Sequence, residues 1–178
     1  KDVVLTDEEK ELVKNLNYGL DKHILDIENT ELIAKMHRYF MPIIGDIRGK
    51  SILAVGCGGG GDIIELNRLG AKAYGMDFLY RTQYWKEQGY NNEFLFVSSA
   101  YKIPFPSANF DIILCMGVIE HVGEWMLTDK KIIDKNHKKL INERGRFLES
   151  LFNHLKPDGY LIITTPNRNF PIDFQHGS

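Results

Sequence analysis

Gly56, Gly58 and Gly61 satisfy the spacing G-x-G-x-x-G inside a run of glycines from Gly58 to Gly61, and Asp77 follows Gly56 by 21 residues. Glycines at the end of a strand let the chain turn into a helix and let a ligand reach backbone amides that side chains would hide. An acid at the distance of Asp77 is where ribose hydroxyls would find an acceptor. By itself the pattern suits a nicotinamide dinucleotide as well as any other adenosine ligand. A plain strand-to-helix turn is the reading without chemistry, and consecutive glycines argue against it because each costs conformational entropy on folding. Further along, Glu120 and His121 stand side by side. Histidine is the side chain best suited to proton transfer near neutral pH, with a structural tie as its competing role. One Glu and one His are too few for a metal site, and none is expected.

These residues need elements to position them. SILAV (51–55), KAYGM (72–76), EFLFV (93–97), DIILCM (111–116) and YLIITT (160–165) read as strands. Helices are expected between them, from about Gly61 to Leu69, Tyr80 to Gln88 and Asp129 to Leu155, with Gly70 and Gly89 closing the first two and the turn KPDG following the third. Strands alternating with helices predict an α/β fold, a doubly wound, mostly parallel sheet with helices on both faces. Ahead of it lies a helical preface. Thr6 and Glu9 form a capping box for a first helix, and Leu32, Ile33, Met36, Tyr39 and Phe40 give a second one over about Thr30 to Met41, ended by Pro42. The division expected is a helical lid over 1–47 and a cofactor-binding core over 48–178.

The 178 residues, 43% hydrophobic, suffice for a single domain with a proper core. Lys and Arg number 22 against 24 Asp and Glu, so a broad phosphate-neutralising surface is not expected, and neither is nucleic acid. Cys57 and Cys115 make no disulfide framework. With no long apolar run and a charged start, the reading is of a cytoplasmic chain without membrane contact.

The ordered set V-G-C-G-G-G, an acid ending the second strand, I-P-F-P before F-D-I-I, V-I-E-H-V, and L-K-P-D-G-Y-L covers about residues 48–170 and resembles the class I S-adenosylmethionine-dependent methyltransferases. Within them it is most similar to the small-molecule group that includes the ubiquinone-biosynthesis O-methyltransferases. The resemblance implies a Rossmann-like sheet of order 3-2-1-4-5 and S-adenosylmethionine as cofactor. It implies that Gly56, Cys57 and Gly58 receive the methionine moiety, that Asp77 takes the ribose hydroxyls, and that Phe78 packs at the adenine. It puts Ser99, Ala100 and Tyr101 at the adenine edge and Met116 and Gly117 at the opening toward the acceptor. His121 is the candidate general base.

This sequence departs from the family at Ala54 and Ser99, where members commonly carry acids, and at its end, where a C-terminal antiparallel hairpin is expected and not found. These departures keep open a non-catalytic binding module. The C-M-G-V segment (115–118) differs from the N-P-P-Y type of loop and tilts the acceptor toward oxygen on a small molecule. Tyr18, Tyr39, Trp85 and Trp125 are candidate walls for that acceptor.

Overall fold

The computed structural model describes residues 22–78, 81–90, 93–99, 101–123 and 137–165. The capping box at Thr6, the first helix it would start, Tyr18, Ala100, Trp125 and the first turns of the helix expected from Asp129 lie outside them. Helix α1 (Lys22–Lys35) passes through a π-helical turn (Met36–Phe40) into the short α2 (Met41–Ile44). There follow β1 (Ser51–Val55), α3 (Gly61–Arg68), β2 (Lys72–Asp77), α4 (Thr82–Glu87), β3 (Leu95–Val97), β4 (Phe110–Met116), α5 (His137–His154) and β5 (Leu155–Thr164). The five strands form one sheet in the order β3-β2-β1-β4-β5, with every pairing parallel, as the resemblance implies.

Burial follows the pleat. Ile52 and Ala54 of β1 face a core shared with Ile63 and Leu66 of α3, Trp85 of α4, and Met36 and Phe40 of the π-turn. Leu53 and Val55 point the other way, into a second core with Ile113, Phe110, Phe147 and Leu151. A strand covered on both faces reads as a continuous apolar run, which is why SILAV and DIILCM carry no polar alternation. At the far end of the sheet the Asp111 carboxylate accepts from the Ser51 N–H at 2.7 Å and the Lys156 Nζ at 2.8 Å, tying β4 to β1 and β5.

The structure corrects three boundaries. The second helix begins well before Thr30, because its earlier turns bury the polar Asn29 and so show no apolar stripe. Pro42 does not end the helical path. The Met41 N–H bonds back to the Met36 carbonyl, a π-type register, and Pro42 falls in the first turn of α2, where a missing N–H costs least. KPDG is not a turn ahead of the fifth strand but a bulge within it: Phe110 pairs with Leu155 and Ile112 with Tyr160, with Asp158 at φ +62°. Among the described residues no helix is long and apolar enough to cross a membrane.

Phe147 is fully buried where α5 meets the sheet. Phe147→Ala is therefore expected to cost about 3–5 kcal/mol of unfolding free energy, read from urea titration of both proteins.

Candidate functional site

Parallel register brings the carboxyl ends of the strands together. Val55 pairs with Met76 on one side and Cys115 on the other, so Gly56–Gly58, Asp77–Phe78 and Met116–Gly117 all leave one edge of the sheet. β1 lies between β2 and β4, the point where strand order reverses and where open α/β sheets form their ligand crevice. The loop after β1 is held by backbone and side chains alike. Gly56 N–H and Cys57 N–H both donate to the Met76 carbonyl, at 2.8 and 3.2 Å. Asp77 Oδ2 accepts from Gly58 N–H at 2.7 Å, and its Oδ1 from Phe78 N–H at 2.7 Å. The Gly58 carbonyl accepts from the indole Nε1 of Trp85 at 2.9 Å.

Protein side chains account for most of the glycines. A Cβ on Gly56 would collide with Val118 Cγ2, from the segment after β4. A Cβ on Gly60, whose φ is +77°, would sit 3.0 Å from Leu95. A Cβ on Gly59 would meet the amide of Asn29, at 2.6 Å from Nδ2 and 2.7 Å from Cγ, and one on Gly61 would lie 3.0 Å from the same Cγ. Asn29 is 8% exposed, accepts from Gly61 N–H at 3.3 Å and donates to the Tyr84 hydroxyl at 3.0 Å. That hydroxyl donates in turn to Asp26 Oδ1 at 2.6 Å.

The remaining sequence candidates divide. Phe78 is 42% exposed beside the loop, an apolar face at the end of β2. Met116 is half-buried, and Gly117 is exposed with its N–H on the Thr164 carbonyl at 3.0 Å. Cys57 turns its thiol inward against Gly75, so only its backbone faces the loop, and burial with nearby Asp77 holds the thiol well above its ordinary range. Ser99 is exposed, with its Oγ accepting from Tyr101 N–H at 3.3 Å. Tyr101 leans on α5, its ring centroid 6.5 Å from that of Phe147, and burial together with Glu143 raises its phenol. His121 and Glu120 lie in a single 3-10 turn, Ile119–His121, half-buried at the β4 end. Both Glu120 carboxylate oxygens are buried and, among the described residues, without a hydrogen-bond partner, and Oε1 lies 3.7 Å from where a Gly117 Cβ would be. Arg144 donates to the Glu120 carbonyl at 2.6 Å, fastening this turn to α5. Of the aromatic candidates, Trp85 is 2% exposed beneath the loop and walls no acceptor space, because its indole N–H is spent on Gly58. Tyr39 lies exposed on the π-turn.

Sequence reasoning missed Asn29, Val118 and Asp62. Only Asp62 had a visible signal, an acid in the first turn of a glycine-led helix. It is 1% exposed; its Oδ1 accepts from Ile63 N–H at 2.9 Å while Oδ2 is buried and, among the described residues, without a partner. Burial pushes this carboxyl up to about 7, against the pull of the helix-terminal amides, and neighbouring Asp77 adds to the rise.

A doubly wound parallel sheet with a clamped glycine loop and an acid at its switch point defines a Rossmann-like α/β domain. The chain belongs to the methyltransferase-domain family, whose model matches residues 25–176. It is 29% identical to the ubiquinone biosynthesis O-methyltransferase of Rickettsia conorii over 89% of this chain and 51% of that protein. To the enzyme of the same name from Acinetobacter baylyi it is 29% identical over 70% of this chain and 47% of that protein. The chain spans about half the length of the curated relatives it matches. A SAM-dependent methyltransferase from Archaeoglobus fulgidus shares its fold, with TM-score 0.56 and 20% identity over 84% of this chain and 62% of that one.

Asp62 carries a pH signature. A carboxyl held at about 7 in the fold keeps a proton that the unfolded chain has lost, so its contribution to stability falls as pH rises from the ordinary aspartate range to about 7 and is level above. Asp62→Asn should remove this slope, leaving the variant more stable than the parent near pH 8 by up to about 4 kcal/mol and little different near pH 4, by urea titration at each pH.

Proposed function

We propose that this protein is a methyltransferase that takes the methyl group from S-adenosylmethionine and delivers it to a small-molecule acceptor, with oxygen the favoured acceptor atom. The observation that carries the reading is Asp77 beside Gly58 at the strand-order switch point of a methyltransferase-family chain. The residues fit that cofactor. Asp77 offers carboxylate lone pairs to a ribose diol, Phe78 an exposed ring to a flat base, and Glu120 a buried carboxylate, without a hydrogen-bond partner among the described residues, to a cationic ligand. The C-M-G-V segment (115–118), unlike an N-P-P-Y loop, and relatives named as O-methyltransferases support oxygen over nitrogen.

The cofactor supplies an activated methyl group on sulfur; this chain supplies position and proton handling. Gly56, Cys57 and Gly58 would hold the methionine end through loop backbone, Asp77 the ribose, and Phe78 with Ser99, Ala100 and Tyr101 the adenine side. Met116 and Gly117 would border the passage to the acceptor. Displacement at carbon requires the nucleophile and leaving group in line and water kept out, so alignment is most of the task. His121 would take the hydroxyl proton at the β4 end, and the Arg144 bond to the neighbouring Glu120 carbonyl steadies its turn. A second reading, binding without turnover, draws on the buried Ala54, where the family it resembles commonly carries an acid; methyl transfer to any acceptor would eliminate it.

Calorimetry with S-adenosylhomocysteine tests the cofactor, and no binding at millimolar concentration would end the reading. Asp77→Ala removes both the ribose acceptor and the Gly58 anchor, and is expected to weaken that affinity at least tenfold, about 1.4 kcal/mol. His121→Gln should leave affinity for S-adenosylhomocysteine unchanged while lowering kcat by about 10²–10⁴ once an acceptor is in hand, measured by transfer of labelled methyl.

A further inference from the structure

Helix α1 meets the glycine loop in an unusual way. Of its described side chains the buried one is a polar residue, Asn29, while Ile27 is exposed and Leu32 and Ile33 are half-buried. Beside Asn29 an open groove of about 420 Å3, bordered by Asp26, Ile33, Ile64, Tyr84 and Tyr90, runs along the junction of α1 with α3 and α4. Among the described residues, α1 is tied to the body at this level by the chain Asp26, Tyr84 hydroxyl, Asn29 amide, Gly61 N–H. The amide also fills the space over Gly59 that any side chain would need. Gly59 is not among the residues with positive φ, so its backbone does not require glycine; its neighbour does.

We propose that Asn29 is a positioning residue for the cofactor seat: α1 latches onto the loop through it, Gly59 is kept bare to receive it, and the loop assumes its ligand-ready shape only with the latch closed. The proposal rests on the cofactor reading above. The Asn29 amide is held on both sides, by Gly61 N–H and by the Tyr84 hydroxyl, so it cannot swing aside for a methyl group at 59 without losing those bonds. The outer part of α1 thus becomes the lid of the seat, while Met36, Phe40 and Ile44 keep its other end fixed in the core.

The test is a double-substitution cycle on the full-length protein, read by S-adenosylhomocysteine calorimetry and by hydrogen exchange of the α1 amides. Asn29→Ala alone and Gly59→Ala alone should each weaken binding, about tenfold, and raise exchange in α1 while β1 and β4 stay protected. Adding Asn29→Ala to Gly59→Ala should relieve the clash, tightening binding at least about threefold relative to Gly59→Ala and bringing α1 exchange back to the level of Asn29→Ala alone, because the methyl at 59 then occupies the vacated space. A cofactor that itself requires a bare Gly59 gives no such recovery, and an unchanged or weaker double variant overturns the latch. Unchanged α1 exchange in Gly59→Ala also overturns it. Should Gly59→Ala fail to fold, recovery of folded protein in the double variant supports the latch, and unaltered binding and exchange in Asn29→Ala refutes it. If the parent binds no S-adenosylhomocysteine, the cofactor reading fails on its own, and the positioning role fails with it, whatever the exchange data say of docking.

Discussion

The peptide of Gly58 is the point on which the site depends. Its N–H is held by Asp77 and its carbonyl by the indole of Trp85, so one residue joins the end of β1 to the end of β2 and to α4. A buried indole N–H must find an acceptor, and a buried amide a partner, or each costs about 1–3 kcal/mol. The loop satisfies both. Trp85 in turn belongs to the core that seats α3 and the π-turn, so the shape of the crevice is set by packing far from any ligand.

Bare backbone at this bend answers to several demands at once. Val118 approaches Gly56 from the β4 side, Asn29 approaches Gly59 and Gly61 from α1, and Leu95 with Trp85 approaches Gly60 from below. A glycine pattern reports close approach without saying what approaches. In this fold the loop is where strand ends and helices converge, at the position where open α/β sheets form their ligand crevice.

Much of this was legible. The strand runs and the sheet class follow from apolar segments that need cover on both faces, as with Ile112 to Cys115, all buried. The placing of Gly56, Gly58 and Asp77 at neighbouring strand ends could be read because strand-end geometry ties type to spacing. The rest was hidden for physical reasons. Periodicity finds helices that bury apolar stripes, and the early turns of α1 bury an asparagine instead. Pro42 looked like a terminator because a π-turn ahead of it is invisible to residue type. Trp85 looked available to a substrate, and only the three-dimensional bond to Gly58 reveals that it is committed. Contacts separated by 55 residues, such as Asn29 to Tyr84, leave no local trace at all.

Charge at the crevice discriminates between ligands that share an adenosine. Asp77 ends β2, and Glu120 folds back at the end of β4 with both oxygens buried and, among the described residues, without hydrogen-bond partners, while buried Asp62 keeps its proton up to about 7 and adds little charge below that pH. A pyrophosphate bridge would bring two negative charges into a setting where like charges interact strongly for want of water. A sulfonium with an ammonium nearby would meet Asp77 with the opposite sign. The literal G-x-G-x-x-G spacing accommodates either ligand, and on the proposed reading the carboxylates at the strand ends favour the cation. That preference comes from the residues around the bend rather than from the bend itself, which is why the glycine motif alone leaves the choice open.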